Sequence, residues 1–307
     1  MRYRRLGGSD LTVSVVGLGC NNFGRRCDLE QTSAVVDAAL DTGVTFFDTA
    51  DTYGDGLSET YLGEVLKGRR DAVVLATKFG GRMEGRGGGS RAHIMDAVEA
   101  SLERLQTDWI DLYQYHVPDG VTPIDETLAA LNELVQQGKV RSVGSSNFSA
   151  AQVEEAEQVA RGNGWARFIS AQNEYSLLKR DIETDLVPAC ERLDIGVIPY
   201  FPLASGLLTG KYRRGKTPPE GSRLAGRDER LTDETFDRVE ALERYAEERG
   251  NTLLEVAIGG LAAQPAVGSV ISGATRPEQV RANAAAGEWE PSEDDLAALQ
   301  NVWRNGS

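Results

Sequence analysis

The chain has 307 residues, of which 40% are hydrophobic, and it carries a formal net charge of −14. This length suits one large domain with a sizeable core, and an α/β barrel of about 250 residues with additions would fit it. The acidic balance, with a pI near 4.8, argues against nucleic acid or an anionic membrane as a partner.

The first predicted element is a hairpin, with strands at residues 3–6 and 12–15. Beyond it, apolar β-branched runs alternate with amphipathic stretches. Eight strands are predicted, at residues 15–18, 44–47, 73–77, 110–115, 140–144, 169–173, 197–200 and 269–271. Helices are predicted near residues 30–42, 59–67, 91–105, 123–137, 149–161, 183–193, 253–264 and 277–286. Eight β–α units in succession predict a (β/α)8 barrel.

Two segments exceed the eight-fold pattern. Residues 207–231 form a long loop rich in Gly, Pro, Arg and Lys after the seventh strand, followed by a charged helix at about 232–249. Loops of this length in compact domains are usually functional or disordered. A capping helix is predicted at 292–303, and the glycine-rich run at 85–89 is interpreted as a flexible rim loop. Since no linker is visible, the prediction is a single domain over residues 1–307.

The cysteines and the first residues bear on the cellular compartment. Cys20, Cys27 and Cys190 are odd in number and lack a CxxC spacing, which argues against a disulfide framework or a zinc site. The opening sequence MRYRRLGGSDL lacks the apolar stretch of a secretory signal. No apolar run approaches the roughly 20 residues of a membrane helix. These features predict a cytoplasmic chain.

Four polar residues stand at or just after the ends of predicted strands: Asp48, Tyr53, Lys78 and His116. Taken singly, Asp48, Lys78 and Tyr53 would each more often be structural than functional, and His116 would be structural about as often as functional. The carboxyl ends of barrel strands meet at one mouth, however, so the barrel would bring all four together. A phenol, an amine, a carboxylate and an imidazole in one place could deliver a proton to a carbonyl.

Several segments, in order along the chain, resemble the aldo-keto reductase family, in the branch similar to the potassium-channel β subunit and bacterial reductases. They are FFDTADTYGDGLSETYLG (46–63), ATKFG (76–80), SLERLQTDWIDLYQYHVPD (101–119), LVQQGKVRSVGSSNFS (134–149), AQNEYS (171–176), PYFPLASGLLTGKY (199–212) and ISGATRPEQVRAN (271–283). The ordered set covers nearly the whole chain, which makes the resemblance specific.

The resemblance implies reduction of aldehydes or ketones by hydride from a nicotinamide cofactor. Tyr53 would be the general acid, and the Lys78 ammonium would lower the pKa of its phenol. Asp48 would hold Lys78 charged and oriented. His116 would hydrogen-bond the carbonyl oxygen and help to place the substrate.

The resemblance also implies a cofactor site at the barrel mouth without a Rossmann motif. Amide and hydroxyl groups would bond the nicotinamide carboxamide (Ser146, Asn147, Gln172), and Tyr200 would stack on its ring. The first-strand loop would lie at the reactive end (Gly19, Cys20, Asn21). The long loop would fold over the diphosphate (Pro202, Leu203, Ala204, Gly206, Lys211, Arg223). The last βα loop and helix would hold the adenosine (Gly273, Thr275, Arg276, Gln279, Asn283).

Arg276 would grip a 2′-phosphate, which favours NADPH, with NADH as the alternative. The sequence departs from the better-known reductases at this helix, where Gly273 and Gln279 replace a lysine and an arginine. The acidic position of the channel-subunit branch is Ala282 here. These departures bear on the adenine contacts and on the choice between the two cofactors.

Two other classes of function are weighed against the reductase. The first is a redox sensor that holds NADPH and binds a partner with little turnover. The second is a metal-dependent barrel hydrolase or isomerase, which ranks last because the chain has two histidines and no carboxylate–histidine cluster. The sequence does not select the carbonyl substrate, the reaction direction or the oligomeric state.

Overall fold

The computed structural model describes residues 1–81 and 88–305. Most of the glycine-rich run predicted as a rim loop, residues 85–87, therefore lies outside the described residues. The chain opens with the predicted hairpin, in which β1 (Tyr3–Arg5) pairs antiparallel with β2 (Thr12–Ser14).

Eight parallel strands follow and form a nearly closed barrel, with β10 beside β3 and the others in chain order. Their bounds are β3 Val16–Gly19, β4 Phe46–Asp48, β5 Val74–Phe79, β6 Ile110–Tyr115, β7 Val140–Ser146, β8 Phe168–Glu174, β9 Gly196–Tyr200 and β10 Val270–Gly273. The barrel closes between β9 and the segment before β10. The Val197 amide donates to the Ala266 carbonyl at 2.7 Å, and the Gly268 amide donates to the Val197 carbonyl at 2.8 Å. The predicted (β/α)8 barrel is confirmed.

The helices surround the barrel and alternate with its strands. Their bounds are α1 Leu29–Asp41, α2 Leu57–Val65, α3 Arg91–Leu105, α4 Ile124–Gln136, α5 Ala150–Asn163, α6 Leu186–Leu193, α7 Asp233–Glu248, α8 Leu253–Ala262, α9 Pro277–Ala286 and α10 Glu293–Asn305. Ser149 caps α5 in a reciprocal pair with Gln152, which satisfies free N–H groups of the first turn. The charged helix after the long loop and the tail helix are α7 and α10. No helix in the described part of the chain combines the length and apolar character needed to cross a bilayer.

The hairpin closes the end of the barrel opposite the mouth. Leu6 and Val13 are fully buried in a cluster with inward-facing strand residues such as Phe46. A Cβ built on Gly196 or Gly268 would come within 2.5 and 2.4 Å of Leu6 Cδ1, respectively. Glycine at these two positions therefore makes room for the leucine that plugs the barrel floor.

Two adjacent glycines inside α8 have a packing reason. A Cβ on Gly259 would lie 2.8 Å from the Trp289 carbonyl oxygen and 2.9 Å from its indole ring. A Cβ on Gly260 would lie 3.1 Å from Leu299. The glycines cost helix propensity but allow the segment before α10, and α10 itself, to approach α8 closely.

Candidate active site

The barrel interior changes from apolar to polar within the last three residues of its strands. Side chains two apart on a strand share a face, so the inward row moves from Phe46, Ala76 and Leu112 to a polar layer at the mouth. That layer consists of Asp48, Lys78, Gln114 and Gln172, all at most 2% exposed. A charged and amide-lined layer thus lies above an apolar floor.

Lys78 and Asp48 form a fully buried ion pair within that layer. Lys78 Nζ donates to Asp48 Oδ2 at 2.7 Å and to the Thr49 carbonyl at 2.7 Å. The other carboxylate oxygen accepts from Gln172 Nε2 at 2.8 Å and from Gln114 Nε2 at 3.1 Å. Both oxygens of Asp48 are therefore engaged, and the lysine is held in one position.

Gln114 was not predicted to belong to the site. The sequence does carry a sign of it, because Gln114 is a polar residue two positions after Leu112 in an otherwise mostly apolar strand. That signal is readable only once the inward face of the strand is known.

Tyr53 begins a tight turn, Tyr53–Gly56, between β4 and α2, in which Gly54 and Asp55 have left-handed backbone. Lys78 Nζ is 5.1 Å from the centroid of its ring. Burial raises the pKa of Tyr53, and the nearby Lys78 charge lowers it without cancelling the effect of burial. Lys78 thus lowers the pKa of Tyr53 as predicted, but burial, which the sequence did not reveal, outweighs it and leaves the pKa above its ordinary value. The structure holds Tyr53 as the protonated phenol.

Lys78 remains charged despite its burial. Burial alone would lower the pKa of Lys78, but Asp48 and Tyr53 together outweigh it and bring the pKa above its ordinary value. An ammonium group thus faces the Tyr53 ring from inside the barrel, with its counter-charge fixed behind it.

His116 is the first residue after β6, and its ring meets the Tyr53 ring edge-on at 5.9 Å. Burial, helped by the Lys78 charge, lowers the pKa of His116 to about 3. The imidazole is therefore neutral at ordinary pH and offers one N–H donor and one acceptor nitrogen. Its Nδ1 is buried and has no hydrogen-bond partner among residues 1–81 and 88–305.

A second carboxyl near the site was missed from the sequence. Burial and the neighbouring Glu59 raise the pKa of Asp51 to about 7, and its Oδ1 has no partner within the described chain. Glu59 itself is fully buried and accepts from Thr77 Oγ1 (2.5 Å) and Arg104 Nε (2.7 Å). Asp51 and Glu59 belong to the β4–α2 unit, whereas Thr77 and Arg104 come from β5 and α3, so the spacing in the sequence gave no sign of the cluster.

Asp119, the last residue of the HxPD motif, has a structural role. Its carboxylate accepts from the Gly89 amide at 3.0 Å and from the amides of Val121 (2.9 Å) and Thr122 (2.8 Å). It therefore ties the loop before α3 to the loop before α4, next to His116.

A cleft of about 920 Å³ opens at the mouth above the polar layer. Asp48, Tyr53 and His116 line it, whereas Lys78 is fully buried. Nearly all the predicted cofactor-binding residues line it too: Gly19, Cys20, Asn21, Ser146, Asn147, Gln172, Tyr200, Pro202, Leu203, Gly206, Lys211, Arg223, Gly273, Thr275, Arg276, Gln279 and Asn283. Ala204 is the predicted member that does not line the cleft. The mouth of the barrel thus brings the two predicted sets into one cavity.

The long loop covers one side of this cleft. Its Arg223 guanidinium lies 5.3 Å from the centroid of the Phe201 ring. From the opposite side, Arg26 Nη2 donates to the Gly221 carbonyl at 2.8 Å. Sequence reasoning named the loop of Arg26 as a pocket wall but did not place Phe201 in the site. The contact between Arg26 and Gly221 joins residues 195 apart.

The far end of the cleft lies at the start of α9. The Thr275 amide donates to Gln279 Oε1 at 2.8 Å, which fixes the turn into the helix. Arg276 is exposed at the N-cap and its guanidinium has no partner among the described residues. No group of His, Cys, Asp and Glu residues suited to a metal ion occurs within the described chain.

The fold and the cleft define a (β/α)8 barrel protein with a polar site at the carboxyl ends of its strands. The Aldo/keto reductase family profile matches residues 15–304, and the chain belongs to this family. Membership supports a general oxidoreductase role, and proteins of this family generally bind NAD(P)H.

Three relatives are each 37% identical to the chain. A probable voltage-gated potassium channel subunit beta from Oryza sativa subsp. japonica aligns over 297 residues, 92% of this chain and 90% of the relative. A protein with the same description from Arabidopsis thaliana aligns to the same extent. The uncharacterized oxidoreductase YqkF from Bacillus subtilis (strain 168) aligns over 309 residues, 98% of this chain and 96% of the relative.

Proposed function

We propose that the protein is an NADPH-dependent reductase that converts aldehydes or ketones to alcohols, with Tyr53 as the general acid. One observation carries the proposal: a protonated Tyr53 lies at the cleft while the buried Lys78–Asp48 pair faces its ring. This arrangement supplies a proton donor together with the charge that stabilises the donor after it has lost its proton.

The cleft fits a dinucleotide. Lys211 and Arg223 line it and have no carboxylate within ion-pair distance in the described chain, so both are available to phosphate. The buried hydroxyls of Ser222 and Ser272 also line it and have no partner among the described residues. Arg276, exposed at the far end, would meet a 2′-phosphate, which supports NADPH over NADH.

The cofactor, when bound, would supply hydride to the carbonyl carbon. Tyr53 donates its phenolic proton to the carbonyl oxygen, which completes the alcohol. The Lys78 ammonium stabilises the phenolate that remains, because two opposite charges attract strongly in a buried site. Asp48 keeps Lys78 protonated and in place, and a proton from water restores Tyr53.

His116 is proposed to orient the carbonyl without acting as an acid. With a pKa of about 3 it stays neutral at ordinary pH. A neutral imidazole N–H can donate to the carbonyl oxygen without competing with Tyr53 for proton transfer. The edge-on contact of the two rings places both groups beside the same point of the cleft.

The test is turnover by the purified protein. With NADPH and 4-nitrobenzaldehyde, followed by an aldehyde and ketone panel, we expect loss of NADPH absorbance and formation of the alcohol. NADPH binding should be measured on the same sample by fluorescence titration. Tight binding with no turnover across the panel would refute the reductase proposal.

A second function is favoured by the relatives described as potassium channel subunits beta. In that case the protein would hold NADPH as a redox sensor and regulate a partner. The same experiment separates the two functions, because a sensor binds the cofactor and leaves the carbonyl panel unreduced.

A further inference from the structure

Two side chains, Tyr200 and Asn147, connect the cofactor side of the cleft to the backbone of His116. The Tyr200 hydroxyl donates to Asn147 Oδ1 at 2.8 Å. Asn147 Nδ2 donates to the His116 backbone carbonyl at 2.9 Å and to Ser146 Oγ at 3.1 Å. We call the chain Tyr200–Asn147–His116 the bracket.

We propose that Tyr200 and Asn147 are positioning residues whose bracket fixes the backbone of His116 and so sets where its imidazole meets the substrate carbonyl. This inference rests on the proposed function, since it assigns His116 to carbonyl orientation. It goes beyond a stacking role for the Tyr200 ring, because the group that acts here is the hydroxyl.

His116 requires such support because it stands where the sheet ends. Its amide makes the last strand-type bond, to the Phe79 carbonyl at 2.8 Å. Its own carbonyl lies past the end of β6 and is bonded by the Asn147 side chain. Without that bond, the residue after the strand would be held on one side only.

The backbone at Asn147 aims its side chain at this carbonyl. Asn147 has a φ of +61°, a left-handed conformation that asparagine tolerates better than most residues. Its amide donates to the Gln172 carbonyl at 3.0 Å, which anchors the turn to β8. The side chain therefore leaves the end of β7 from a fixed point.

The bracket changes the role expected for Asn147. The family resemblance implies that Asn147 bonds the nicotinamide carboxamide, yet both of its amide hydrogens are already used. The flipped amide would set Oδ1 against the His116 carbonyl oxygen and lose the bond to it. Asn147 can still accept one further bond at Oδ1, but its donors serve His116 and Ser146.

Tyr200→Phe tests the bracket because it keeps the ring and removes the hydroxyl. We expect kcat/KM for aldehydes to fall roughly three- to tenfold, the range of one neutral hydrogen bond. NADPH affinity should stay within about twofold, because the aromatic face remains. The matched control is Tyr245→Phe, which removes a hydroxyl that donates to the Asp295 carbonyl at 2.8 Å, away from the cleft.

A double-mutant cycle with His116→Ala tells positioning from other effects. If Tyr200 acts through His116, the Tyr200→Phe change costs little more once the imidazole is gone. Equal losses in both backgrounds would overturn the bracket. The bracket would also be overturned if Tyr200→Phe left kcat/KM unchanged, or if the whole fall in kcat/KM came from weaker NADPH binding.

A readout without turnover is available because the chain has only two histidines, His93 and His116. In the proton NMR spectrum, the Tyr200→Phe change should move the imidazole resonances of His116 and leave those of His93 in place. Tyr245→Phe should move neither. Unmoved His116 resonances would refute the bracket even in a protein that reduces no aldehyde, whereas absent turnover alone would refute the proposed function.

Discussion

Replacing Asp48 with asparagine removes the charge that holds Lys78 and changes little else in shape. Lys78 is 0% exposed and Asp48 is 2% exposed, so water cannot replace the lost partner. With Asp48 gone, burial would dominate the pKa of Lys78 and lower it. The variant should therefore lose stability, and it should also lose the ammonium that stabilises the Tyr53 phenolate.

The expected loss of stability follows from the burial of the Lys78–Asp48 pair. Removing one partner of a buried ion pair costs about 3–5 kcal/mol of unfolding free energy. For 307 residues, an unfolding entropy of roughly 2.1 cal/mol/K per residue converts this cost into a fall in Tm of about 5–8 °C. Loss of assisted proton transfer should reduce kcat by about 100-fold or more.

The assay pairs calorimetry with aldehyde turnover in two further variants. The double change Asp48→Asn with Lys78→Met should recover much of the stability, since neither charge is then buried alone, and should recover no activity. Asp10→Asn, which breaks the exposed Arg5–Asp10 pair, should cost at most about 1 kcal/mol. An Asp48→Asn protein as stable and as active as wild type would refute the reasoning.

Three further predictions concern the barrel floor, a buried carboxyl and the cofactor. Gly268→Ala puts a Cβ 2.4 Å from Leu6 Cδ1, so the free energy of unfolding in urea should fall by about 1–3 kcal/mol. Adding Leu6→Val should recover part of this loss, and an unchanged stability would contradict the close packing of Leu6 against Gly268. The pKa of Asp51 is about 7 in the folded state and therefore exceeds its value in the unfolded state. The folded state then binds more protons, so stability falls as the pH rises from the unfolded pKa to the folded pKa. Asp51→Asn should remove that dependence and be at least about 1 kcal/mol more stable near pH 8, whereas the exposed control Asp55→Asn should keep the wild-type dependence. Arg276→Ala should weaken NADPH more than NADH in fluorescence titrations, and equal losses would exclude the 2′-phosphate role.

Much of the fold could be predicted because its signals are local. Apolar runs and amphipathic stretches alternate with the periods of strand and helix, and the eight strands appear where that alternation places them. The strand bounds moved by at most two residues. The strand predicted at 44–47 is Phe46–Asp48, so Asp48 belongs to the strand and follows Phe46 on the inward face.

The four proposed catalytic residues were visible because polar side chains are conspicuous at the ends of apolar strands. Their environment was not visible. Whether burial or the Lys78 charge dominates the pKa of Tyr53 depends on how completely the barrel covers the phenol. The neutral state of His116 depends on the same coverage.

The contacts that the sequence did not reveal join distant parts of the chain. Arg26 meets Gly221 across the cleft, and Asn147 reaches the His116 carbonyl from a neighbouring strand. Each contact depends on loop and turn conformations, such as the left-handed backbone at Asn147, for which the sequence carries no periodic signal.

Tyr53→Phe tests the central claim most directly, because it removes the proposed acid and keeps the ring that packs against His116. The account predicts that NADPH binding in a fluorescence titration stays near the wild-type level while aldehyde reduction falls by about 100-fold or more. Turnover close to that of wild type, with the cofactor bound, would contradict the assignment of Tyr53 as the general acid.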